Sequence, residues 1–426
     1  MNEILDYYQQ QAKARISTIP WLAQMQSEAL DELARFGFPT RHDEEWKYTR
    51  VDGLLQQQFT THHQVNKPIS LDANANQMPV KHKIFIQNGL VLNEHEWMQH
   101  LPSGVLILPL SVACTVHEDL VKNYLGTIIP KDKKHGFQAL NTAMLHCGVF
   151  IYIPKGVCIE EPIALMHLQD YPNQAVHLRH LIVAEAGSTF TLIEEYSGVP
   201  ENSYLTNTVT EIFVGEGAQV SHYKIQRESK SAYHLGHIAV KQSASSHFSS
   251  HSLSLGGALV RSDMSIYLQE EHARCLMNGI YAPAEGQHVD HHTTVYHLVP
   301  NCRSDQDYKG ILNGRSRAVF NGKVIVAKGA QHTNANQQNK NLLLSTNAEI
   351  DTKPQLEIFT DDILCSHGAT VGQLDEEAVF YLATRGIGRV EASQYLIHAF
   401  AQDNLGLIPN RDLADWMSHL LTQQLG

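Results

Sequence analysis

The chain has 426 residues, and its 44 acidic against 32 basic side chains leave a formal charge of −12, which excludes nucleic acid and an anionic membrane as main partners. Only 18% of residues are charged while 43% are hydrophobic, a balance that, with abundant Thr, Ser, Asn, Gln and His, favours a large β-architecture over a helical bundle. Six scattered cysteines without a C-x-x-C pair exclude a secreted disulfide framework and a four-cysteine zinc site; in a reducing cytosol most are expected to be buried free thiols.

In chain order, the acidic, amphipathic start Met1 to Asp6 is unlike a signal peptide. Ile4, Leu5, Tyr8, Ala12 and Ile16 recur at helical spacing. Pro20 opens a second stripe through Trp21, Leu22, Met25, Ala29, Leu30 and Leu33, which Gly37-Phe38-Pro39 stops. Residues 1–60 thus read as an N-terminal helical region, with Phe38 to Thr49 as a capped helix start packed by Trp46 and Tyr48. The polar stretch 61–79 reads as a linker. The longest apolar stretch, 104–116, is interrupted by Pro109 and Ser111 and is too short to span a bilayer, so a cytoplasmic protein is expected.

From 80 to 374 the period becomes two. Phe150-Ile151-Tyr152-Ile153 precedes Gly156, Leu181-Ile182-Val183 precedes Gly187, and Ile212-Phe213-Val214 precedes Gly217, a strand–turn–strand unit recurring about every 30 residues. Such a repeat fits a β-helix, in which each coil buries its apolar face against its neighbours, although a sandwich or barrel yields similar short strands. Asn334, Asn336, Asn339 and Asn341 are expected at coil corners, with amides stacked along the axis. Residues 375–426 return to helical spacing: Asp375 can cap a helix that Gly386 ends, Arg389 to Gln402 form a second, and Asn410 can cap a third carrying Leu413, Trp416, Met417 and Leu420. Three short amphipathic helices need a surface to pack on.

The chain contains no G-x-x-x-x-G-K-[ST] loop, no G-x-G-x-x-G after a strand and no G-x-S-x-G elbow, so it is not expected to be an enzyme, and nucleotide chemistry would belong to a partner. Two constellations remain. His288, Asp290 and His292 share one face of a strand within the histidine cluster 288–297, and could hold iron, manganese or zinc in a stand-alone, cupin-like metalloenzyme; the simpler reading is that they hydrogen-bond one another and the backbone. Cys365 and His367 share one face of another strand, and a thiolate with an imidazole there could bind iron if a partner chain supplied further ligands. Asp361 and Asp362 either add oxygen ligands or form a solvated turn.

Gly37 to Thr40 with Glu45 to Thr49, Tyr281 with Gly286 to His291, Cys365 to Gly372, Phe380-Tyr381-Leu382 and Arg385-Gly386-Ile387 together resemble, in order along nearly the whole chain, the SufD family of the Suf iron–sulfur assembly system. The resemblance implies a mainly β fold, a right-handed parallel β-helix with N-terminal and C-terminal α-helical regions. It implies a non-catalytic scaffold in a complex with the related SufB and two copies of the ATPase SufC. SufC would dock on the helices Asp375 to Leu420 and SufB on the end of the β-helix. A further reading comes from the exposed β-helix edges, which want pairing: in the absence of SufB the chain pairs with itself as a homodimer. The family's interface histidine corresponds to His367, with Cys365 beside it, as a transient iron or cluster site shared with SufB; no tightly bound cofactor is implied. The short cysteine-rich motif of many SufB proteins is absent, so a cluster held by this chain alone is not implied.

Overall fold

A computed structural model of the chain describes residues 2–61, 78–92, 101–131 and 134–425; of the linker expected at 61–79, residues 62–77 lie outside the described residues. The period-two segments form strands of mostly eight to ten residues that alternate between two sheets. Ala175–Ala184, Leu205–Val214, Tyr233–Gln242, Leu259–Leu268, His288–His297, Arg317–Val326 and Glu349–Ile358 stack in parallel within a sheet of nine strands. The intervening strands, from Ile163–Gln169 to Leu364–Gln373, stack within a sheet of ten. Every coil thus contributes one strand to each sheet, and the result is a parallel β-solenoid rather than a sandwich or a closed barrel.

Alternation sends side chains either into the lumen between the sheets or outward. Phe190, Val220, Phe248 and Cys275 occupy successive register positions and form one buried lumen column. One corner of each coil is a single residue in the left-handed region: Gly156, Gly187, Gly217, Ser245, His272, Asn301, His332 and Asp362, with φ between 54° and 69°. Amides of this column reach the neighbouring coil, Gly187 N–H to the Glu216 carbonyl at 2.7 Å and His332 N–H to that of Asp362 at 2.8 Å. The glycine repeat fades because later coils use Ser, His, Asn and Asp, polar residues that tolerate this conformation. The asparagine-rich stretch corrects the expectation: it is the strand Asn334–Leu343, not a corner, and its Asn339 and Asn341 bond each other at 2.7 Å inside the coil.

Helices clothe the outer faces. Asn2–Lys13 and Pro20–Phe36 form as expected, the second ending at Gly37 with φ 64°. The helix start expected at 38–49 is only a three-residue 3₁₀ turn, Glu44–Trp46. Among the described residues of 80–374 three helices also occur, Leu110–Val116, Glu118–Tyr124 and Gly136–Ala143. They are too short for a clear period, and the first two bury Leu110, Ala113, Cys114 and Val121 against Phe150, Val183 and Phe213 of the nine-stranded sheet. At the C-terminus, Asp375 accepts from the amides of Glu377 and Ala378 to start Glu376–Thr384, and Asn410 accepts from Leu413 N–H ahead of Arg411–Leu425. The last helix packs Leu413, Met417 and Leu421 over Ile225, Leu253 and Ile280 of the ten-stranded sheet. Buried Lys309 pins Arg389–Leu405 to that sheet through the Phe400 carbonyl at 2.6 Å. Among the described residues no helix is long and apolar enough to cross a membrane.

Candidate functional site at the open end of the solenoid

Among the described residues, Glu349–Ile358 and Leu364–Gln373 are the last strands of their sheets, and each is paired on one side only. Their outer backbone groups are free to pair with another chain. The two edges differ. Glu349–Ile358 carries Glu349, Asp351, Lys353, Pro354 and Glu357, whereas Leu364–Gln373 has neither a charge nor a proline. Phe359 ahead of it and Leu364 at its start are 62% and 73% exposed.

Cys365 is half-buried against Val324, Val326, Ala330 and Ala335, and burial raises its thiol pKa against the opposing Ala335 backbone contact. Ala335 pairs with Cys365 and Gln337 with His367, so both side chains end lumen columns and sit together at the lumen mouth. His367 is exposed there. A thiol and an imidazole, side chains of the kinds that suit iron, thus lie on one strand that is open on its outer side. Asp362 occupies the last corner position with φ 59° and pairs with His332 Nδ1 at 3.0 Å, leaving Asp361 exposed beside it.

His288, Asp290 and His292 lie on the outer face of the nine-stranded sheet, under the N-terminal region. Arg261 fills the space between them: its Nη1 lies 2.6 Å from Asp290 Oδ2, 3.0 Å from His292 Nε2 and 2.8 Å from the Glu45 carbonyl. Its guanidinium also bonds Asp263 at 2.9 Å and stacks over Trp46 at 4.4 Å. Thr49 donates to Asp290, and Glu45 meets His292 Nδ1 at 3.3 Å. Burial alone would raise both carboxylates, but Arg261 outweighs it, holding Asp263 at about 2 and Asp290 well below the carboxylate range. The cation facing this cluster is therefore the protein's own guanidinium, and the cluster pins the segment around Trp46 to the solenoid. Arg261 escaped the sequence reading, although the spacing of Arg261 and Asp263 signals a same-face ion pair on a strand. Among the described residues no group of three His, Cys, Asp or Glu is arranged to hold a metal.

Only Leu374 and Asp375 separate the edge strand from helix Glu376–Thr384. Phe380 and Tyr381 on that helix, and Val390 and Tyr395 on the next, are 70%, 57%, 74% and 55% exposed, large apolar side chains on the two helices that follow the edge strand.

The model of the SufBD core domain of the SUF system for FeS cluster assembly matches residues 167–400, and that of the SufBD N-terminal region matches residues 1–165. An iron–sulfur cluster assembly SufBD family protein of Synechocystis is 34% identical over 394 residues, covering 89% of this chain and 86% of that protein. The iron–sulfur cluster assembly protein SufD of Escherichia coli is 32% identical, covering 88% and 86%, and SufD of Bacillus subtilis is 26% identical, covering 91% and 90%.

Proposed function

The chain belongs to the SufBD family of iron–sulfur cluster assembly proteins, and on that premise we propose that it is a non-catalytic scaffold acting in the cytoplasm in the place of SufD, with SufB and two SufC subunits. One observation carries this reading: the uncharged strand Leu364–Gln373, paired on one side only, brings Cys365 and His367 to the mouth of the solenoid and runs almost directly into helices with exposed apolar side chains. An edge of this kind is built for pairing with a sister solenoid, SufB in the complex or a second copy of this chain without it. Exposed Phe380, Tyr381 and Tyr395 are the side chains that anchor interfaces, here with the ATPase.

In this reading ATP-driven closure of SufC pulls on Glu376–Thr384. Two residues of connection deliver the pull to the strand bearing His367. Iron or the nascent cluster is cargo, held at the junction by His367 and SufB thiolates with Cys365 alongside, and released when the junction shifts. His367→Ala is expected to leave the melting temperature and co-purification with SufB and SufC unchanged while lowering cluster reconstitution about tenfold or more. Reconstitution at the wild-type level would overturn the role of His367.

A further inference from the structure

Behind His367, the lumen column runs Gln337, Gln306, Met277, Ser250 and His222 in successive register positions. Gln306 and Gln337 are 2% and 0% exposed. Thr293 Oγ1 donates to Gln306 Oε1 at 2.7 Å, and Gln337 Nε2 donates to the same oxygen at 3.4 Å. In this arrangement Gln306 Oε1 takes both hydrogen bonds, and Gln306 Nε2 makes none. Gln337 has its N–H turned inward, and its own Oε1, buried, accepts no hydrogen bond. Its amide lies over Gly322 of the facing sheet, in the space that a Cβ there would fill. A buried carbonyl oxygen without a donor is costly, and continuing the ladder by one position places His367 opposite it.

We infer that Gln337 is a positioning residue for His367: its Oε1 accepts the proton of the ring nitrogen that turns to the lumen and leaves the other nitrogen as a lone-pair donor directed at the junction. The inference rests on the reading of His367 as a ligand for iron or cluster, because it explains how an exposed imidazole on an edge strand is held in ligating orientation. It also gives the Gln306–Gln337 ladder a polar purpose that a purely apolar lumen would lack.

The test uses the full-length chain with ¹⁵N-labelled histidine, the His367 ring signals being identified by their loss in His367→Asn. One tautomer is expected to dominate in the wild type. Gln337→Met, similar in shape but without the acceptor, is expected to erode that preference about fivefold. Gln337→Glu, which can only accept, is expected to keep the same tautomer. An unchanged ratio in Gln337→Met overturns the inference, and so does a switch to the other tautomer in Gln337→Glu, which would mean that Gln337 donates. Each variant is checked by its melting temperature, and either one decides if the other fails to fold. In reconstitution with SufB and SufC, Gln337→Met should lose activity that Gln337→Glu restores. Full activity of His367→Ala would remove the ligand role of His367 while leaving the tautomer measurement to decide on Gln337.

Discussion

Arg261 shows how much one side chain can hold. It is buried, it bonds Asp263, Asp290 and the Glu45 carbonyl, and it roofs the site with Trp46. Removing one partner of a buried ion pair strands the other charge, so Arg261→Met is expected to cost about 3–5 kcal/mol in urea unfolding. Adding Asp290→Asn should recover part of that loss; a single-variant cost below about 1 kcal/mol would contradict the picture. The corner column invites a second measurement. Gly187 sits at φ 67°, and a Cβ there would meet only Gly156 Cα, at an ordinary 3.9 Å, so Gly187→Ala pays only the left-handed penalty, about 1–2 kcal/mol. Asn301, at φ 62° in the equivalent position, should become glycine with little change. Equal costs at the two sites would mean that the corner is held by something other than its backbone conformation.

Among the elements, the two edge strands behave differently because their residues do. Pro354 lacks an N–H and the flanking charges resist desolvation, which closes the Glu349–Ile358 edge to continuous pairing. Leu364–Gln373 has no such protection. On the proposal that the chain pairs with itself through this edge when SufB is absent, replacing Leu364 and Val371 by Lys is expected to convert the dimer to monomer in light scattering, with the melting temperature kept, because both residues are exposed in the single chain. A dimer that survives both substitutions would place the pairing surface elsewhere. The capped C-terminal helices were legible from Asp375 and Asn410 because a cap lies within one turn of its helix. The helices between Leu110 and Ala143 were not, since seven or eight residues give two turns of pattern; the first two depend on the apolar sheet face beneath them, and Gly136–Ala143 on that sheet and on helix Pro20–Phe36 together.

At the scale of the molecule, the solenoid buries an unusual number of histidines. Burial foremost holds His180, His237, His251 and His297 at about 4, and His167 and His291 at about 3. Each is neutral in the fold but takes a proton in the unfolded chain once the pH passes below about 6.5. Their stabilisation is complete above that pH and is lost as the pH falls towards their folded values, roughly 1–2 kcal/mol for each imidazole by pH 5. His292, raised by Asp290 and Glu45 against the opposing burial and Arg261, runs the other way, its contribution fading as the pH rises. Six groups outweigh one, so the urea midpoint should fall steadily from pH 6.5 to 4.5; a flat profile would show that these imidazoles are solvated. What the residues determined by themselves was local: alternation within a strand, a glycine corner about every 30 residues, a cap before a helix. Each depends on neighbours a few positions away. Only the tertiary structure brought Arg261 to Glu45, 216 residues distant, and placed His367 at an open mouth. Leu364–Gln373 alternates like any interior strand, and what exposes it is the absence of a further coil stacked on it, a property of the stacked assembly rather than of the strand.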